Sequence, residues 1–177
     1  MDLQNALAGV PVVEVAPRIP VQAGPFGIKA SPDGKFIAVT ARERADIDFE
    51  GNTISIIDVD LASMGAPNAE VARVQVGTDD PNGQTRPFTL AWTPDGREII
   101  VANYRSNNVS IVDVRRALAH DPHAEVARIA VVRPPESNGT ILPGNPKGTA
   151  VTANGRFAVV SGGPRLAPDA PRAVPCG

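Results

Sequence analysis

Pro25-Phe-Gly-Ile-Lys-Ala-Ser-Pro-Asp-Gly34, Pro87-Phe-Thr-Leu-Ala-Trp-Thr-Pro-Asp-Gly96 and Pro146-Lys-Gly-Thr-Ala-Val-Thr-Ala-Asn-Gly155 align without gaps, and their reading decides the fold. Their first residues stand about 60 positions apart, which is the mark of a repeated supersecondary unit. Each copy runs on into a basic residue and an apolar stretch: Lys35-Phe-Ile-Ala-Val39, Arg97-Glu-Ile-Ile-Val101 and Arg156-Phe-Ala-Val-Val160. A second block repeats as Thr53-Ile-Ser-Ile-Ile-Asp-Val59 and Asn108-Val-Ser-Ile-Val-Asp-Val114. A third repeats as Glu70-Val-Ala-Arg-Val-Gln-Val76 and Glu125-Val-Ala-Arg-Ile-Ala-Val131, with a weaker copy in Val13-Glu-Val-Ala-Pro-Arg-Ile-Pro-Val21.

Each run is short, rich in Val and Ile, and bounded by Gly, Pro, Asn or Asp, as strands are. The unit is therefore four strands, a to d. Pro-Asp-Gly and Ala-Asn-Gly between a and b supply tight turns, because Gly accepts positive φ and Asp or Asn tolerates its strained neighbour. No window sustains apolar spacing at i, i+3, i+4 and i+7, so helix is disfavoured. The one helical candidate is Arg115-Arg-Ala-Leu-Ala-His120, between strands c and d. A sheet with one wet face alternates apolar and polar residues. Phe36-Ile-Ala-Val39 and Ile99-Ile-Val-Ala102 are instead continuously apolar, so both faces must be covered. Small antiparallel meanders covered on both faces stack radially, as the blades of a β-propeller do.

Ser31-Pro-Asp-Gly-Lys-Phe-Ile-Ala-Val-Thr40, Thr93-Pro-Asp-Gly-Arg-Glu-Ile-Ile-Val-Ala-Asn-Tyr104 and Ser106-Asn-Asn-Val-Ser-Ile-Val-Asp-Val114 resemble the YVTN-type β-propeller repeat, over about residues 12–163. That repeat is WD40-like in architecture and includes bacterial surface-layer and periplasmic proteins. It is similar to lactonase-like and cytochrome d1-like propellers. The third copy departs from the pattern, with Ala153-Asn154 for Pro-Asp and Ser161-Gly-Gly163 for Ala-Asn-Tyr. The expected fold is all-β: four-stranded antiparallel blades, about two complete and flanked by partial ones, in an incomplete ring. The expected bounds are a lead-in over 1–11 and blade repeats over 12–163. Within these lie a d-strand at 12–22, blades at 25–76 and 87–132, and a partial blade at 146–163. A Pro-rich disordered tail follows over 164–177. Propellers close with typically four to eight blades. Three arrangements answer the shortfall: a truncated reading frame, a ring completed by self-association through exposed blade faces, or a stand-alone domain of two to three blades.

Composition narrows the function classes. The chain has 177 residues and a net charge of −2, with Lys and Arg scattered. There is no basic stripe for nucleic acid and no polybasic cluster for a membrane surface. No apolar run reaches the roughly 18 residues that span a bilayer. The opening Met1-Asp2-Leu3-Gln4-Asn5-Ala6 lacks the charged and apolar regions of a signal peptide. A periplasmic or cell-surface location is expected only if the full-length protein carries one. Single Cys176 makes no internal disulfide.

Propeller ligands sit at the central channel or on the loops of one end. The d-to-a connections, residues 77–86 and 133–145, should border the mouth at strand a. Arg86 and Lys147 there would offer positive charge to an anion, with Asp79 and Asp80 nearby; as plain surface residues they would only be solvated. Asp46, Asp48 and Glu50, alternating before Gly51, mimic the first half of a calcium loop, although Ile57 holds the place of its closing Glu. Otherwise they form a polar b-to-c hairpin. No other cofactor is implied. His120 and His123 flank Pro122, which breaks a shared-metal geometry and makes them outer-rim residues. Asp58 and Asp113 recur at the end of strand c, where a carboxylate accepts backbone N–H groups of the following turn. Trp92, Phe88 and Phe26 are expected to fill core. Asn108-Val-Ser110 and Asn138-Gly-Thr140 match glycosylation acceptors but need a secretory route.

No nucleophile elbow, Walker loop, Cys cluster or clustered general base is present, which speaks against catalysis. The expected function is a non-catalytic binding scaffold, a piece of a longer propeller, recognising a protein, glycan or small molecule through its inter-blade loops. The resemblance also implies two alternatives: the remnant of a lactonase-like hydrolase, resting on Glu136 or Asp80, or of a haem d1-type redox propeller; and a structural surface-layer protein.

Overall fold

The three a-to-b turns fold alike, and for the same chemical reason. In the computed structural model, which describes residues 3–10, 18–44, 49–133, 139 and 142–163, the hydroxyls of Ser31, Thr93 and Thr152 donate to the side chains of Asp33, Asp95 and Asn154. The same carboxylate or amide oxygens accept from the backbone N–H groups of Lys35, Arg97 and Arg156 at 3.1 Å each. Gly34, Gly96 and Gly155 then take φ of 73°, 70° and 70°. Ala153-Asn154 therefore replaces Pro-Asp without changing the turn, because an amide oxygen accepts as a carboxylate does.

These turns open three antiparallel sheets. The first runs β1 (Pro25–Ala30), β2 (Phe36–Arg44), β3 (Phe49–Asp58) and β4 (Glu70–Gln75), paired in that order. The second repeats it with β5 (Pro87–Trp92), β6 (Glu98–Asn103), β7 (Asn108–Asp113) and β8 (Glu125–Ala130). The third holds β9 (Pro146–Val151) and β10 (Ala158–Gly162). These are propeller blades: two four-stranded meanders and a two-stranded partial one, with no closed ring among the described residues. Short helices α2 (Val59–Ser63) and α3 (Val114–Leu118) join strands c and d, and α1 (Leu3–Leu7) precedes the blades. Of these, α3 falls on the stretch read as helical, while α1 and α2 were not foreseen. Five residues are too few to display a helical period.

Asp58 and Asp113 hold these helices at their N-termini. Each carboxylate accepts the backbone N–H three residues on, from Leu61 at 2.9 Å and from Arg116 at 2.8 Å. This is helix capping, worth ~1 kcal/mol each.

The blades stack face to face through one apolar core. Ala38, Ile54, Ile56, Ala72 and Val74 of the first sheet pack with Leu90, Trp92, Ile99, Val101 and Val112 of the second. Ile54, Ile56, Leu90 and Ile99 are fully buried, and each contributes about 1.5–3 kcal/mol over exposure. The other face of the first sheet, at Val39, Ile57 and Ala69, is covered by Ile19 and Val21. Residues 18–22 lie in no strand, and 12–17 of the expected d-strand lie outside the described residues. Polar contacts fix the stacking. The Trp92 indole N–H donates to the Lys29 carbonyl at 3.1 Å, and the Thr40 hydroxyl to the Phe88 carbonyl at 3.1 Å.

Candidate functional site

Each inner strand is entered through a left-handed bend just before its first proline. Gly24, Arg86 and Asn145 take φ of 63°, 52° and 42°. The residue before proline ordinarily lies in the extended region, and a non-glycine residue at positive φ is strained. The bends bring three columns of the repeat to one mouth. Gly24, Arg86 and Asn145 form the first column. The second residues of the inner strands, Phe26, Phe88 and Lys147, form the next. Arg42, Tyr104 and Gly163, just past or at the close of the second strands, form the third.

Their side chains converge. Phe26 and Phe88 meet at 4.5 Å between ring centroids, and Phe88 and Tyr104 at 5.8 Å. The Arg42 guanidinium lies 5.0 Å from the centre of Phe26. The Arg86 guanidinium and the Lys147 ammonium lie 5.6 Å and 5.5 Å from the centre of the same ring, Tyr104. A ring face attracts cations, so the aromatic chain gathers positive charge from successive blades. Tyr104 is buried, Arg86 half-buried and Lys147 exposed. Arg42 also bonds the Glu43 carboxylate at 2.6 Å. That bond, followed by the charges of Arg42 and Arg86, holds Glu43 below its ordinary pKa.

Arg86 and Lys147 therefore come together, as the position of the d-to-a loops suggested. Asp79 and Asp80 are placed otherwise. Asp79 pairs with Arg128 on β8 at 3.1 Å, and this bond lowers its pKa. Asp80 accepts the backbone N–H of Asn82 inside its own turn. Residues 77–86 are strapped down at several points. Gly77 N–H donates to Glu125 at 2.8 Å, Asn52 to the Pro81 carbonyl at 3.1 Å, and Arg86 N–H to the Gly51 carbonyl at 2.9 Å. Glu125 also accepts from Ser110 and Arg128, and Asn103 donates to Asn108 and Ser110. This connection is a fixed strap between blades, and the strap sets Arg86 at the mouth.

Phe26 corrects an expectation. Composition points to core, yet it is 49% exposed at the mouth, with Phe88 half-buried beside it. Trp92 is core, at 8%. Tyr104 and Arg42 were not singled out from sequence. The signal lay in reading the repeat by columns, since 26, 88 and 147 are one position and 42 and 104 another. His120 and His123 lie on the c-to-d turn, where the His123 N–H donates to Asp121 at 2.8 Å. Among the described residues no group of three or more His, Cys, Asp or Glu could hold a metal. Of the calcium candidates, Asp46 and Asp48 lie outside the described residues, and Glu50 is described only as backbone of β3. Glu136, Asn138 and Cys176 also lie outside them. Among the described residues no helix is long and apolar enough to cross a membrane.

No protein-family model and no curated protein matches the chain. Solved structures do. Hydrazine synthase of Kuenenia stuttgartiensis matches with a TM-score of 0.53 and 19% identity, over 77% of this chain and 42% of that one. A functionally unknown protein from Desulfotomaculum acetoxidans matches at 0.49 and 21%, over 80% and 36%. The dihydro-heme d1 dehydrogenase NirN, solved in complex with DHE, matches at 0.45 and 21%, over 78% and 22%. The chain thus spans less than half the length of each. The likeness to the first supports the propeller-like fold alone.

Proposed function

We propose that this chain is a non-catalytic binding module built on propeller blades of the YVTN repeat type, and that its mouth takes an anionic ligand. One observation carries the reading: Arg86 and Lys147, from successive blades, share the Tyr104 ring at 5.6 Å and 5.5 Å. Arg42 joins them from the first blade, paired with Glu43. An arginine fork and a lysine point charge suit an oxyanion, and the ring contacts hold them in place before the ligand arrives. The polypeptide supplies the rigid scaffold that such a site needs.

Titration with inorganic phosphate at low salt, followed by backbone amide shifts, tests this. Saturable shifts are expected at Arg86, Tyr104 and Lys147, weakened about tenfold in Lys147→Met. Shifts that are absent from the mouth, or unchanged in that variant, overturn the proposal.

A further inference from the structure

Resting on the anion site just proposed, the geometry points to its ligand class: a small organic oxyanion, a carboxylate or phosphate, carried on a flat apolar body. The argument comes from one repeat position. The second residue of the inner strand is Phe26 in the first blade, Phe88 in the second and Lys147 in the third. Successive blades therefore present ring, ring and ammonium in order around the mouth. A site for a bare ion has no use for the first two.

Burial separates these rings from ordinary core. Phe26 is 49% exposed, although the blade faces behind it bury Ile54, Ile56 and Leu90 completely. Phe88 is half-buried, and the two rings meet at 4.5 Å with a tilt of 53°, forming a shelf open on one side. Arg42 braces the shelf, 5.0 Å from the Phe26 centroid and bonded to Glu43. Tyr104, 5.8 Å beyond Phe88, links the shelf to the cations. A ligand whose flat part covers Phe26 and Phe88 directs its charged group toward Lys147 and Arg86. Covering an exposed ring removes apolar surface from water, and ring-to-ring contact adds to that. The shelf then supplies affinity, and the cations supply charge selection and orientation.

The glycine at the foot of the shelf fits the same design. A Cβ on Gly27 would stand 2.6 Å from the Phe88 carbonyl oxygen, so the first two inner strands approach more closely than any other residue allows. That approach is what brings Phe26 onto Phe88.

The test compares 1-naphthyl phosphate with inorganic phosphate on the full chain, by amide shifts and calorimetry. Naphthyl phosphate is expected to bind at least tenfold more tightly. Phe26→Ala and Phe26→Leu should abolish that advantage, while inorganic phosphate still shifts the Arg86 and Lys147 amides. The second variant keeps apolar bulk, so folding and ring contact are separated. Equal affinity for the two probes, or an advantage that survives both variants, overturns the inference and leaves the anion site standing. If neither probe binds at the mouth, the anion site itself fails.

Discussion

His120 holds in the second blade the left-handed backbone position that Gly65 holds in the first, at φ of 56° against 70°. Both follow a five-residue helix and close it in the same way. Gly65 N–H donates to the Ala62 carbonyl and Ala66 N–H to Leu61; His120 N–H donates to Ala117 and Asp121 N–H to Arg116. Glycine suits this place because it has no Cβ to crowd the carbonyl. His120→Gly should therefore raise stability by about 0.5–1 kcal/mol, read from urea unfolding. A metal-binding imidazole would behave oppositely: the same substitution would lower stability in the presence of zinc. A loss without zinc refutes the terminating role, and a loss seen only with zinc adds a metal site to it.

Val74 and Ile129 also share a repeat position, in β4 and β8, but not an environment. Val74 is 7% exposed beneath the second blade, whereas Ile129 is 54% exposed. Val74→Ala should cost roughly 2 kcal/mol, from lost burial and an unfilled cavity. Ile129→Ala should cost under about 1 kcal/mol. Equal costs by urea unfolding would mean that Ile129 is covered in solution, which sedimentation would then show as self-association.

Those two residues also mark how far the sequence could be read. The strands, the a-to-b turns and the capping carboxylates Asp58 and Asp113 were legible, because each depends on neighbours a few positions away. Recurrence separated them from chance. The mouth was legible only in Arg86 and Lys147. Phe26, Phe88 and Tyr104 come together across blades about 60 residues apart, through bends at Gly24 and Arg86 that proline normally disfavours. Phe26 reads as core by composition, because an exposed aromatic differs from a buried one only in what packs on it. Helix α2 was hidden for another reason: one turn is too short to show a period, and its cap, Asp58, was the only sign.

Asp79 offers a direct electrostatic check. Its hydrogen bond to Arg128 lowers its pKa below the ordinary 3.8, while Arg128's own is raised by Glu125 first and by Asp79 second. A depressed carboxylate gives its contribution fully above the ordinary value and loses it as pH falls through the lowered one. The Asp79–Arg128 contact should therefore persist through mild acid and loosen only below about pH 4. Asp79 is largely exposed, so the effect on global stability is small. The readout is the Asp79 carboxyl carbon shift against pH. Its midpoint should rise to the ordinary value in Arg128→Met, and a midpoint unmoved by that variant would dissociate Asp79 from Arg128 in solution.

Arg86 bears on the proposed anion site through its backbone as well as its side chain. The first blade places glycine at this bend, and the second places arginine at φ 52°, where a side chain costs of order 1–3 kcal/mol. Arg86→Gly and Arg86→Ala both remove the guanidinium from Tyr104, so their difference reports the backbone alone. Arg86→Gly should be the more stable of the two by ~1 kcal/mol in urea unfolding. Both should weaken phosphate binding at the mouth to the same degree. If the alanine variant is as stable as the glycine one, the bend relaxes without strain. If Arg86→Gly binds phosphate as the unaltered protein does, the strained arginine has no part in holding the anion.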